Sequence, residues 1–357
     1  MNTKVKQIDF SKQAIFVGID VHKKSWKVTI RTNGIELKTF SMNTSVEELS
    51  RYLRKNYPNG SYKSVYEAGF CGFWIHRKLR EVGIKNIIVN PADVPTKSKE
   101  RRNKNDKIDS RKLARGLENG ALTGIYIPTE KEQELRSTNR LRYQLVKDRV
   151  RIKNRIKGLV LYYGKTIPEN YEVKNWSKNF IKHLEQMEFS TTVGKQCLGM
   201  YLTKLKENQA MIAKVVKQLK DVIKRYGREE LIKKLCSVPG VGFLTAVTLL
   251  VELIDINRFN NIDKLCSYVG LIPSVNSSGD REKVLGLNGR HNKYLRNLMI
   301  ESAWVAVRKD PVLTLKFNKL STRMSKQKAI IRIAKKLLCR VRFVWKNNQP
   351  YEKGIIS

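Results

Sequence analysis

The order of extended and helical patterns in the first ninety residues constrains this chain more than any other feature. The runs AIFVGIDV and SWKVTI, with Arg31, form two β-branched strands over residues 14–31, joined by a polar turn from His22 to Ser25. Residues 35–41 predict a third strand, residues 44–56 a helix, SVYEA at 64–68 an extended run, residues 73–82 a helix, and IKNIIVN at 84–90 a buried strand. Three strands followed by helix, strand, helix, strand is the plan of an α/β sheet, since each late strand is reached by a helical crossover.

One residue breaks the apolar pattern. Asp20 sits inside the first run, where an ionised carboxylate is strongly disfavoured unless a cation meets it. Glu67 ends the later extended run and is followed by Ala-Gly. Asp106 and Asp109 lie three apart in NKNDKIDSRKLARGL, which puts them on one helix face. Taken singly, Asp106 and Asp109 also read as surface ion pairs with the Lys and Arg around them. Four carboxylates meeting at one site suit hard divalent cations such as Mg²⁺, which take oxygen ligands and act on transferring phosphates. In this order they resemble the DEDD active site of RuvC-like nucleases, which have an RNase H fold.

Seventy-one Lys and Arg stand against 32 Asp and Glu in 357 residues, a formal net charge of +39. That excess implies a polyanionic partner, and its spread along the whole chain favours nucleic acid over a membrane surface. No apolar stretch is long enough for a membrane span, and no secretory signal is visible. Cys71, Cys197, Cys236, Cys266 and Cys339 are scattered and lack any C-x-x-C pair, so they read as reduced core residues of a cytoplasmic, nucleoid-associated protein.

From Thr129 to Lys157 the chain has neither Gly nor Pro, and Leu145, Ile152 and Leu159 recur every seven residues, with Ile156 in the alternate seam position. A second run holds Leu205, Ile212 and Leu219 in one register and Val216 and Ile223 in the other. Together they suggest an antiparallel or intermolecular coiled coil; two ordinary amphipathic helices are the alternative. Residues 136–157 carry nine Arg or Lys against the single acid Asp148. Arg149, Arg151, Lys153 and Arg155 are accordingly candidates for tracking a phosphate backbone, the alternative being a merely solvated basic face.

After residue 230, Val238-Pro239-Gly240-Val241-Gly242 precedes the apolar helix FLTAVTLLVELI. This looks like the hairpin and second helix of a helix-hairpin-helix element, in which the amides of Gly240 and Gly242 would meet a DNA phosphate; an ordinary glycine-capped helix start is the other reading. The rest is helical except for a Ser/Gly-rich interruption at 274–290 holding Ser277, Ser278 and Gly279. By itself Ser-Ser-Gly reads as a turn.

GIDVHK with Asp20, YEAGF with Glu67, NKNDKID with Asp106 and Asp109, VPGVG, GLIPS and SSG followed by Leu295-Arg296 succeed one another in the order found in transposases of the insertion-sequence 110 family, which are related to the Piv DNA invertases. The chain resembles that family over nearly its whole length. The resemblance implies a RuvC-like domain in which Asp20, Glu67, Asp106 and Asp109 bind Mg²⁺, and a nucleophilic Ser278, with Ser277 the lesser candidate. It also implies a structured noncoding guide (bridge) RNA that pairs with donor and target DNA. The family's Lys-x-Gly-Asn-type segment is replaced here by Arg290-His291-Asn292-Lys293-Tyr294, which leaves roles for Arg290 and Asn292 open.

The expected architecture is α/β plus α: a RuvC-like domain over 1–128, coiled-coil helices over 129–229, and a C-terminal helical domain with the serine over 230–357. The expected activity is RNA-guided DNA recombination by a homo-oligomer, a dimer or tetramer, since exchanging strands between two duplexes needs several cleavage sites. Two rivals are a metal-dependent endonuclease or junction resolvase that uses water, and a basic nucleic-acid-binding protein without catalysis.

Overall fold

β1 (Ala14–Val21) and β2 (Trp26–Thr32) pair antiparallel across the expected turn, where the His22 amide donates to the Ser25 carbonyl. The computed structural model describes residues 9–95, 106–168, 176–278 and 281–352, and of residues 106–107, 274–278 and 281–285 it describes the backbone alone. β3 (Ile35–Met42) adds antiparallel to β2, after a turn in which Asn33 and Gly34 both take positive φ. After α1 (Val46–Asn56), β4 (Ser61–Glu67) joins parallel to β1. After α2 (Trp74–Glu81), β5 (Lys85–Val89) joins parallel to β4. The sheet order is therefore β3-β2-β1-β4-β5, consistent with the RNase H-like plan expected of the first domain.

Strand alternation divides the sheet into two faces. Ile15, Val17 and Ile19 of β1, with Trp26, Val28 and Ile30 of β2, are buried with Leu49 and Leu53 of α1 and Ile75 and Leu79 of α2. The opposite face carries Gly18, Thr29 and Val65 and is covered by α3 (Asp106–Glu118), whose Leu113 packs with Val65 and Val89.

The chain divides into two compact units, Met1–Ile127 and Pro128–Ser357. The second opens with α4 (Glu130–Tyr162), started by a reciprocal capping box between Thr129 and Glu132. α5 (Lys178–Gln186) leads to α6 (Thr192–Arg225), which lies antiparallel to α4. Leu135 near the start of α4 shares a core with Leu219 and Ile223, whereas Ile152, Ile156 and Val160 pack with Leu198, Leu202 and Leu205. Of the heptad residues, Ile152, Ile156, Leu205, Leu219 and Ile223 are buried, while Val215 takes the buried place beside the half-exposed Val216.

The same core continues through α7 (Glu229–Cys236), α8 (Phe243–Leu253), α9 (Ile262–Val269), α10 (Leu295–Lys309), α11 (Pro311–Ser321) and α12 (Lys326–Asn347). The long helix pair and the C-terminal helices thus form one body. The stretch that reads in sequence as a Ser/Gly interruption is a hairpin, β6 (Pro273–Ser278) against β7 (Arg281–Leu287). Its backbones pair antiparallel with Val275 in register with Val284, a pairing that a local turn signal does not reveal.

Candidate functional site

Asp20 lies one residue beyond Ile19, which is in register with Tyr66 of the parallel neighbour, so Asp20 and Glu67 stand level at the C-terminal ends of β1 and β4. Both belong to the face that α3 covers, because they alternate with Ile19 and Tyr66 of the opposite core. At Gly18 the helix passes so close that a Cβ would fall 2.1 Å from the Ser110 carbonyl oxygen and 2.4 Å from the Ala114 amide. Thr29, paired with Gly18, shares a buried 2.9 Å hydrogen bond with the Ser110 hydroxyl.

The direction of α3 follows from its far end. There Glu118 accepts from Arg31 Nε at 2.7 Å and from the Gly34 amide at 2.7 Å, an ion pair whose side chains are about one tenth exposed. Arg31 is opposite Phe16, toward the start of β1. The N-terminal turn of α3, with Asp106 and Asp109, is therefore directed to the end of the sheet where Asp20 and Glu67 stand. Asp109 is half-buried and accepts from Lys112 Nζ at 3.3 Å. The Asp106 side chain lies outside the described residues, although its backbone begins the helix.

Asp20 is partly exposed and lies 3.0 Å from His22 Nε2, a partner that sequence reading assigned only to the turn. Among the described residues, no three His, Cys, Asp or Glu side chains are gathered tightly enough to hold an ion. The donors at this sheet end are hard carboxylate oxygens, as Mg²⁺ requires. On the other face, His76 of α2 bonds Asn86 of β5 at 2.7 Å, and Asn86 donates to Ser64 of β4 at 2.9 Å. Burial pushes the His76 imidazole below its ordinary range, partly opposed by the Asn86 hydrogen bond. This buried chain fixes the strand behind Glu67.

In the second unit, Ser278 ends β6 opposite Arg281, and Ser277 stands opposite Glu282. Their side chains, and Gly279, lie outside the described residues. Gly240 takes φ +87° and packs inward, a Cβ there falling 2.2 Å from the Ser302 carbonyl oxygen. Gly242 caps α8 and is exposed. On α4, Arg151 and Arg155 are exposed and Arg149 and Lys153 half-buried. Arg151 is held 2.8 Å from Asp148, and the Lys153 ammonium sits 5.2 Å from the Trp176 ring centroid. Arg151 and Arg155 also line, with Lys204 of α6, a cleft of about 470 Å³. Burial, then Arg149 and Lys157, push the Lys153 ammonium down. Burial does the same to Arg142, whose Nε has no hydrogen-bond partner among the described residues.

The residues that sequence reading missed are those that position others. Arg31, Glu118 and Ser110 in the first unit, and Arg140 and Glu252 in the second, act through contacts distant in sequence, whereas His22 meets Asp20 only two residues away; Asn292, whose role the sequence left open, donates to Glu252. Gly18 carried the one local signal, a glycine amid β-branched residues, which marks close approach of another backbone.

Two family models match this sequence. The model for DEDD transposases of IS110, described as Transposase, matches residues 17–164, and that for the transposase IS116/IS110/IS902 family matches residues 232–318. The first span contains Asp20, Glu67, Asp106 and Asp109, the second Gly240, Gly242 and Ser278. The chain is 30% identical to the transposase for insertion sequence element IS1111A of Coxiella burnetii, over 68% of this chain and 65% of that relative's length. It is 28% identical to a putative transposase, y4rJ, of Sinorhizobium fredii, over 91% of this chain and 90% of the other. With the transposase for IS1533 of Leptospira borgpetersenii it shares 24% identity over 97% of this chain and all of that one.

Proposed function

We propose that this chain, which matches models of the IS110/IS116 transposases over residues 17–164 and 232–318, is a transposase of that family and an RNA-guided DNA recombinase with an acidic metal centre and a serine nucleophile. The observation that carries the reading is the convergence on one sheet end of Asp20, Glu67 and the first turn of α3. A carboxylate cluster at strand ends is unfavourable for an empty fold and suited to a cation that neutralises it.

In this reading Asp20, Glu67, Asp106 and Asp109 hold Mg²⁺, which when bound supplies charge neutralisation at a phosphodiester. The Ser278 hydroxyl attacks phosphorus: its Oγ–P bond forms, the bond from phosphorus to the deoxyribose oxygen breaks, and that oxygen leaves with a proton as a free hydroxyl end. The phosphoserine link keeps the bond energy for rejoining. His22, beside Asp20, is placed to orient that carboxylate.

The charge of +39 and the basic side of α4 at Arg149, Arg151, Lys153 and Arg155 support nucleic-acid binding there, with the structured guide RNA and donor and target DNA as the ligands. Gly242, at the exposed start of α8, remains the better placed of the two glycines for a phosphate. The α4–α6 pair buries Ile152, Ile156 and Leu205 within the chain, the antiparallel form of the coiled coil, and assembly of at least two protomers follows from the several cleavage sites that strand exchange needs. Among the described residues no helix is long and apolar enough to cross a membrane.

The test is Asp20→Asn in purified protein with Mg²⁺ and element-end DNA. Strand cleavage should fall at least about a hundredfold while nucleic-acid binding and thermal stability persist, because the lost charge serves the cation and not packing. Cleavage at the wild-type rate would reject the acidic centre.

A further inference from the structure

Glu252, on the last turn of α8, is fully buried. Its charge is disfavoured there both by removal from water and by the negative end of the helix. The fold answers with cations and donors from separate elements. Arg140 of α4 binds both carboxylate oxygens, Nε to Oε1 and Nη2 to Oε2, each at 2.8 Å. Arg136 lies 3.9 Å away, and Asn292 Nδ2 donates to Oε2 at 2.9 Å. The Tyr268 hydroxyl of α9 donates to the Glu252 carbonyl at 3.1 Å and accepts from Asn292 at 3.3 Å.

Asn292 belongs to the segment that leaves the β6–β7 hairpin. At the hairpin base the Asn288 amide donates to the Ile272 carbonyl at 3.2 Å, and the Asn292 amide donates to the Tyr268 carbonyl at 2.9 Å. His291 lies directly on Gly270, where an added Cβ would come within 2.3 Å of the His291 Cβ. Tyr294 lies under Arg140, 4.6 Å from ring centroid to guanidinium carbon, and meets Tyr143 of α4 edge-on at 5.1 Å. One glutamate, through its carboxylate and its own carbonyl, thus ties α4, α8, α9 and the segment leaving the hairpin together.

Apolar side chains of equal volume fill a buried site at least as stably as an ion pair, so what the pair adds is direction. We propose that Glu252 is a positioning residue that, through Arg140 and Asn292, registers the β6–β7 hairpin, and with it Ser277 and Ser278, against the basic helix α4. The consequence for catalysis rests on the reading of Ser278 as nucleophile; the registration itself does not.

The test separates the two. Asn292→Ala leaves the Arg140–Glu252 pair intact, so the melting temperature should hold within a few degrees, while amide exchange over residues 273–294 of the full chain rises about tenfold. Asn292→Asp places a second carboxylate against Glu252 and should loosen the hairpin further. The Glu252→Gln/Asn292→Asp double variant exchanges amide and carboxylate at constant charge and should recover most of the protection and most of the phosphoserine adduct formed on DNA. A merely structural role would move the melting temperature without this reciprocal rescue. Should Asn292→Ala unfold, Asn292→Ser, whose shorter side chain withdraws the donor from Glu252, makes the same comparison. Unchanged exchange in the folded single variants, or a folded double variant no better than Asn292→Asp, overturns the proposal. Altered exchange with no adduct from wild-type protein leaves the registration standing and rejects the nucleophile instead.

Discussion

Gly18→Ala should unseat α3 and, through it, the proposed acidic centre. The added methyl would lie 2.1 Å from the Ser110 carbonyl oxygen and 2.4 Å from the Ala114 amide nitrogen. Both are backbone atoms, so no rotamer change relieves the clash, and the helix must retreat by at least about 1 Å to restore ordinary contact. Overpacking of this kind costs about 1 to 3 kcal/mol, and two backbone contacts put Gly18 at the upper end. Alanine returns about 0.5 to 1 kcal/mol by restricting the unfolded chain, leaving a net loss of about 2 kcal/mol. For a unit of this size that lowers the melting temperature by about 6 to 10 °C. The retreat also lengthens the 2.9 Å Thr29–Ser110 bond and draws Asp109 away from Asp20, so Mg²⁺-dependent cleavage should fall more steeply than stability. Calorimetry of the full chain, with cleavage assayed well below the transition, reads both. A melting temperature within 2 °C of wild type, with full cleavage, would show that α3 is not seated on Gly18.

Two further outcomes follow from strain and from burial. Ile254 caps α8 at φ +62°, ψ −66°, in a γ-turn closed by the Asp255 amide on the Leu253 carbonyl, a conformation that a β-branched residue adopts only under strain. Ile254→Gly should relieve about 2 kcal/mol against about 1 kcal/mol of glycine entropy, so denaturant unfolding should show a gain of about 1 kcal/mol; a loss of that size would refute the strain. For His76, burial lowers the folded-state affinity for a proton, so the unfolded chain takes up the proton first as pH falls through 6.5. The stability present above that pH should therefore decline toward pH 5, and His76→Gln should flatten the decline; equal slopes in the two proteins would count against it.

The first unit was legible because its signals are local. β-branched runs with period two mark β1, β2 and β4, and a carboxylate inside such a run marks Asp20. α4 was legible for lack of any breaker between Thr129 and Lys157. What escaped depends on contacts far apart in sequence. FLTAVTLLVELI reads as an apolar helix, and nothing local says that its glutamate meets Arg140, 112 positions earlier, and Asn292, 40 positions later. The hairpin at β6 and β7 was hidden by Ser, Asn and Gly, which promise a turn, while its backbone pairs residues well apart in sequence, Pro273 with Leu287. Gly240 shows the reverse: its glycine suggested a phosphate contact, and the structure places it against the Ser302 carbonyl, where no side chain fits.

The central claim, a serine-mediated recombinase, is tested most directly by trapping the protein on nicked element-end DNA with Mg²⁺ and mapping the attached peptide. A phosphoserine at Ser278, absent from Ser278→Ala and retained by Ser277→Ala, is the predicted result. Cleavage without any adduct, or an adduct at Ser277, would contradict it.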